Sequence, residues 1–125
     1  MSDTNFTKYS INPEVQFQPL QLIDITALIS KSNNQWQNIS LCEVNDCVIR
    51  LGVIEGEFHW HKHENEDEFF YVIEGKLCID FKEKTIELLP NQSCVVPRQI
   101  LHKTRAPVRT SILMIEGKTV IPTGN

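Results

Sequence analysis

The chain has 125 residues, of which 41% are hydrophobic and 22% charged, and its formal net charge is −4. This length is typical of a single domain with a core of its own, and the acidic balance leaves no Lys/Arg-rich stripe for a nucleic-acid backbone. Residues 1–10 lack a signal-peptide core, and no apolar run approaches the roughly 18 residues of a membrane span. We therefore expect a soluble, cytoplasmic protein that binds neither nucleic acid nor membrane.

The N-terminal part, residues 1–34, is expected to pack on the main domain. Residues 1–13 show little periodicity and predict a loose arm. Residues 15–22 alternate apolar and polar side chains around Pro19, which is typical of a strand at the edge of a sheet. Asp24 is a suitable N-cap for one short helix.

From residue 35 onward the pattern becomes a run of short strands separated by turn signals, which favours a β-sandwich or barrel. Residues 35–117 are expected to form this all-β domain, and residues 118–125 an exposed C-terminal tail. The predicted strands are residues 37–44, 47–54, 57–63, 68–73, 76–81, 85–89, 93–96, 101–105 and 109–116.

The segment Phe69-Phe70-Tyr71-Val72-Ile73 is apolar on both faces, unlike a half-solvated antiparallel strand. Its second face needs a cover, which residues 15–22 or a second copy of the chain would supply. On this ground we predict a homodimer.

The four histidines of the chain are concentrated in two places. His59, His61 and His63 occupy alternate positions, so they share one face if their strand is regular. Glu68 begins the next strand, which a short turn brings back alongside. His102 lies further along the chain.

Written as a pattern, these residues read His61-x-His63-x4-Glu68-x6-Gly75, followed by Pro97-x4-His102. This pattern resembles the two motifs of the cupin superfamily, and the resemblance covers about two-thirds of the chain. It implies a double-stranded β-helix, a small jelly-roll barrel. Asn91 and Gln99 replace two glycines of the second motif; Asn tolerates left-handed backbone, whereas Gln99 is uncomfortable if its φ is positive.

The resemblance implies that the metal ligands are His61, His63, Glu68 and His102. Three imidazoles and one carboxylate suit a single divalent transition metal with open coordination positions, and Zn, Fe, Mn, Ni and Cu all accept such ligands. His59 is predicted by strand alternation to face the cavity, either as a proton-transferring catalytic residue or as a packing histidine.

Other residues that bear on the site have plainer interpretations. Three nearby acids, Glu64, Glu66 and Asp67, are interpreted as a solvated turn. The four cysteines form no CxxC pair, so we expect neither a zinc ribbon nor a disulfide.

Two functions fit these residues. The first is a metal-dependent enzyme of the isomerase or dioxygenase type that acts on a small polar molecule, carbohydrate-like or with a carbonyl or enediol group. The second is a non-catalytic barrel that binds a metal and a small ligand such as a sugar. Fold resemblance alone does not choose between them.

Overall fold

The computed structural model describes residues 9–122 and residue 124. The described residues form eight strands and one helix, which confirms an all-β chain with one short helix. In chain order the elements are β1 (Tyr9–Asn12), α1 (Ile25–Lys31), β2 (Trp36–Val44), β3 (Cys47–Glu57), β4 (Glu68–Glu74), β5 (Leu77–Asp80), β6 (Thr85–Leu88), β7 (Ser93–Val96) and β8 (Lys103–Gly117).

The strands hydrogen-bond in the order β1-β2-β3-β8-β4-β7, and β5 joins β6 to β8. The first pair, β1 with β2, is parallel, and the other pairs are antiparallel. The long strand β8 pairs with β3 on one side and with β5 and then β4 on the other. Strand β8 therefore links both halves of the barrel.

The N-terminal part differs from the prediction. Residues 9–12, predicted as a loose arm, form β1, whose Tyr9 ring packs edge-on against Trp36; residues 1–8 lie outside the described residues. The edge strand predicted over residues 15–22 is wrong, because this segment makes only two backbone hydrogen bonds to β2, from the amides of Gln16 and Phe17. Pro19, which has no N–H, prevents a longer ladder.

The predicted helix is confirmed. The Asp24 carboxylate accepts a hydrogen bond from the amide of Ala27, as an N-cap does. No helix among the described residues is long and apolar enough to cross a membrane.

The apolar side chains form two clusters on opposite sides of the sheet. The inner cluster fills the barrel and includes Trp36, Phe70 and Ile112. In the outer cluster, Ile73 of β4 packs together with Phe17 and residues of α1. One residue of the second face of β4 and the N-terminal segment therefore share this outer cluster, and the homodimer stays a prediction.

Two predicted turns are continuous strand in the structure. Strand β3 runs through Glu55-Gly56 to Glu57, and its register against β8 shifts at Gly56, where φ is +108°. Glycine allows this bulge without ending the strand. Likewise β8 is one strand from Lys103 to Gly117, although two were predicted.

The C-terminal segment folds back onto the barrel. Val120 is buried, with its carbonyl accepting a hydrogen bond from Arg50 Nη2, and Pro122 lines the interior cavity. Gly124 lies against His61. The prediction of an exposed tail is therefore wrong for Val120, which is buried, whereas residues 118, 119 and 121 are exposed; residues 123 and 125 lie outside the described residues.

Candidate metal centre

Four predicted ligands come together inside the barrel. His61, His63, Glu68 and His102 each offer one ligand atom, and these atoms lie within 4.8 Å of one another. Their side chains are deeply buried, with residue exposures of 9, 2, 4 and 1% respectively. Three separate parts of the chain supply them: the loop after β3, the start of β4 and the residue before β8.

Backbone hydrogen bonds hold two of the histidines together. The amide of each of His61 and His102 donates to the carbonyl of the other, at 2.9 Å in both directions. His61 Nδ1 lies 3.0 Å from the His59 carbonyl, and His102 Nδ1 lies 2.9 Å from the Ile100 carbonyl. A carbonyl oxygen can only accept a hydrogen bond, so the Nδ1 atom of each ring carries the hydrogen. The Nε2 atom of each ring therefore keeps the lone pair with which histidine binds a metal.

The electrostatics of the centre also favour the metal-binding protonation states. Burial lowers the pKa of His61 from 6.5 to about 4, so its ring is neutral at physiological pH. Burial by itself raises the pKa of Glu68, but the close ring nitrogens of His102 and His63, at 3.3 and 3.4 Å, outweigh it and lower the pKa below its usual value. The carboxylate is therefore ionised.

The buried polar atoms fit a metal ion. Glu68 Oε1 and His102 Nε2 lie 3.3 Å apart, and neither makes a hydrogen bond of acceptable geometry within the described part of the chain. Leaving such groups unsatisfied in a protein interior costs about 1–3 kcal/mol each. A cation among the four ligand atoms would satisfy both.

The fifth predicted site residue, His59, does not join this group. Its side chain is exposed, and its ring centroid lies 5.4 Å from that of His61. The amide of Phe58 donates to the carbonyl of Thr104, and the amide of His61 donates to the carbonyl of His102. The distance from 58 to 61 is three residues, whereas the distance from 102 to 104 is two, so the first segment contains one extra residue. This extra residue lets His59 and Trp60 both point outward, and the regular strand predicted over residues 57–63 is wrong.

The three acids of the intervening turn stay outside the centre, as interpreted from the sequence. Glu64 pairs with Lys62 at 3.1 Å, and exposed Asp67 accepts hydrogen bonds from the backbone and side chain of Arg98. Glu66 accepts a hydrogen bond from Thr119.

The loop that carries His102 keeps the backbone shape of the glycine-containing motif without its glycines. Asn91 and Gln99 both have φ of +68°, the left-handed conformation that glycine adopts most readily. The Gln99 amide donates to the His63 carbonyl at 2.7 Å, which ties this loop to the ligand loop.

Sequence reasoning missed a second buried carboxyl group beside the centre. Glu116 of β8 is the register partner of Glu68 and pairs with Arg50 at 2.6 Å. Burial and the charge of Glu68 raise the pKa of Glu116 to about 9, against the opposing effect of Arg50. The alternation of Ile112, Met114 and Glu116 on one face of β8 was the signal that could have revealed this inward carboxyl.

A cavity of about 30 Å³ adjoins the centre inside the barrel, and we call it the inner chamber. His61 and Glu68 form part of its wall. Its other lining residues are Trp36, Asn38, Gly52, Ile54, Phe58, Phe70, Thr104, Ile112, Met114, Glu116 and Pro122.

A small β-barrel with a buried group of three histidines and a glutamate defines a class of protein, the cupins. Residues 48–116 match the model of the cupin domain, more than half of the chain. The chain belongs to this family, and its fold is the double-stranded β-helix.

Individual relatives agree with this assignment. The chain is 43% identical over 96 residues to an uncharacterized protein, YdbB, of Bacillus subtilis, covering 76% of this chain and 85% of that one. A cupin-2 domain containing protein from Shewanella frigidimarina is 35% identical, with a TM-score of 0.73 and coverage of 77% of this chain and 94% of the other. KdgF from Halomonas sp. shares the fold at 18% identity, with a TM-score of 0.62 over 88% of this chain and 94% of that one.

Proposed function

We propose that this protein is a metal-dependent enzyme that acts on a small polar molecule with a carbonyl, enediol or carbohydrate-like group. The observation that carries the proposal is the cluster of four buried ligand atoms within 4.8 Å. His61, His63, Glu68 and His102 would hold one divalent transition metal, either Zn, Fe, Mn, Ni or Cu. The bound metal supplies Lewis-acid polarisation of a substrate oxygen or, if it is iron, dioxygen chemistry.

The protein's own groups contribute orientation and exclusion of water. The carbonyls of residues 59 and 100 fix the rings of His61 and His102, and such outer hydrogen bonds usually increase metal affinity. The apolar walls of the inner chamber limit the number of water molecules near the reacting atoms, which strengthens electrostatic interactions there.

Metal retention tests the first half of the proposal. His102→Ala should reduce bound metal in the purified protein below a tenth of an equivalent, while His59→Ala, which removes an exposed histidine, should leave the metal content unchanged. We expect circular dichroism to show a folded barrel in both variants, because the apolar core supplies most of the stability. Wild-type protein that takes up no transition metal on titration would refute the proposal.

Turnover tests the second half. The iron-loaded form is assayed for oxygen uptake, and the zinc- and manganese-loaded forms for aldose–ketose interconversion. A non-catalytic small-ligand binding barrel is the second candidate, favoured by the exposure of His59, because the predicted proton-transferring residue does not line the chamber. Full metal occupancy with no turnover in either assay would favour this second candidate.

A further inference from the structure

One polar side chain in the wall of the inner chamber, outside the four-residue metal centre, carries a buried oxygen with no hydrogen-bond partner among the described residues. Asn38 lies on β2, opposite Gly52 of β3, and is only 9% exposed. Its Oδ1 atom makes no hydrogen bond within the part of the chain that the structure describes. Since a buried, unpaired amide oxygen destabilises a fold, this acceptor is best explained by a hydrogen-bond donor that enters the chamber.

Most of the surroundings of Asn38 are apolar. The rings of Trp36 and Phe58 are stacked 5.3 Å apart, and Ile112 and Met114 complete the nearby wall. In such surroundings an unpaired amide acceptor has a strong influence on which molecule is bound, because a ligand without a donor leaves it unpaired.

The charge of the chamber limits the ligand further. No lysine or arginine lines it. Arg50 is the buried cation nearest to Asn38 in the sequence and in the strand register. Its guanidinium group donates hydrogen bonds to Glu116, to Ser40 and to the Val120 carbonyl. Lys103 lies 3.0 Å from Glu57, so, apart from the proposed metal ion, no cationic side chain among the described residues of the chamber wall is free to bind a phosphate or carboxylate group.

We propose that Asn38 is the specificity-determining residue of the chamber and that its ligand is a small, uncharged molecule with an O–H or N–H group that donates to Asn38 Oδ1. The inference rests on the proposed metal centre, which would bind the other end of the same molecule.

The test uses cobalt-loaded protein and three small probes. Hydroxyacetone carries a carbonyl and a hydroxyl donor, acetone lacks the donor, and glycolate replaces the uncharged group by an anion. Binding is followed by the visible spectrum of the cobalt and by thermal shift. The variants are Asn38→Leu, which keeps the branched shape but removes the acceptor, and Val95→Leu as a control at an exposed position of β7 outside the chamber.

Wild-type protein and Val95→Leu should bind hydroxyacetone about tenfold more tightly than acetone, and Asn38→Leu should reduce this ratio to near one. Equal preference in Asn38→Leu and wild type would overturn the role of Asn38. Tighter binding of glycolate than of hydroxyacetone, or no response to hydroxyacetone, would overturn the ligand class. Failure of wild-type protein to take up cobalt would instead refute the metal centre, and the cobalt spectrum recorded before any probe is added distinguishes this case.

Discussion

Replacing Arg50 tests how far burial, rather than distance, sets the strength of an ion pair in this barrel. Arg50 Nη1 lies 2.6 Å from Glu116 Oε2, and both side chains are almost fully buried, with exposures of 4 and 1%. Arg105 and Asp80 form a pair of nearly equal length, 2.7 Å, but their side chains are 34 and 13% exposed. The two pairs therefore differ chiefly in contact with solvent.

Arg50→Met should reduce the free energy of unfolding by about 3–5 kcal/mol, because it leaves a buried negative charge uncompensated between Glu68 and Glu116. It also removes the donors to Ser40 and to the Val120 carbonyl. Arg105→Met should cost at most about 1 kcal/mol, since the remaining Asp80 carboxylate keeps a hydrogen bond from Thr85 and lies 3.9 Å from Lys103.

Urea unfolding of both variants and wild type, all free of metal, gives these differences directly from the transition midpoints and slopes. Equal losses in the two variants, or a loss below about 1 kcal/mol for Arg50→Met, would refute the argument from burial.

Three further predictions concern the ligand loops and turns. As the pH falls from 6.5 to about 4, His61 should destabilise metal-free protein, because the unfolded chain protonates His61 in this range and the folded chain does not, whereas Glu116, whose pKa is raised to about 9, should stabilise it. Chemical unfolding of metal-free Glu116→Gln, which removes the opposing group, should therefore show a loss of about 3 kcal/mol over this range, and a flat profile would contradict us. Gln99→Gly should stabilise the fold by about 0.5–1 kcal/mol and Gln99→Val should destabilise it, because residue 99 has a φ of +68°, which glycine adopts readily and a β-branched residue does not. The reverse order of melting temperatures would show that the backbone is not strained. Gly75→Ala should reduce the free energy of unfolding by more than about 2 kcal/mol, because the added Cβ would lie 2.7 Å from the backbone of Thr110. Gly56→Ala should reduce it by about 1 kcal/mol, because its Cβ would meet only the end of a side chain, at 3.1 Å. Equal losses on urea unfolding would exclude the steric explanation.

Features that depend on local periodicity or on family spacing were predictable from the sequence. The helix after Asp24 and the β4 and β7 strands follow from capping and alternation. The spacing from His61 to Glu68 identified the carboxylate of the cluster correctly among four neighbouring acids.

Features that depend on one inserted residue or on distant pairing were not predictable. The extra residue between Phe58 and His61 turns His59 outward, and alternation alone gives no signal of it. The contact of Arg50 with Glu116 joins residues 66 positions apart. The burial of Val120 depends on the same arginine, so a polar-looking segment became part of the interior.

The position of the C-terminal segment affects how the protein should be produced. Gly124 lies so close to His61 that a Cβ atom added there would be 3.0 Å from the histidine's own Cβ. A polyhistidine tag fused at this end would place additional imidazoles a few residues from the proposed centre, where they would compete for the same transition metals. Metal stoichiometry measured on such material would count ions held by the tag, so an amino-terminal or cleavable tag is the appropriate choice.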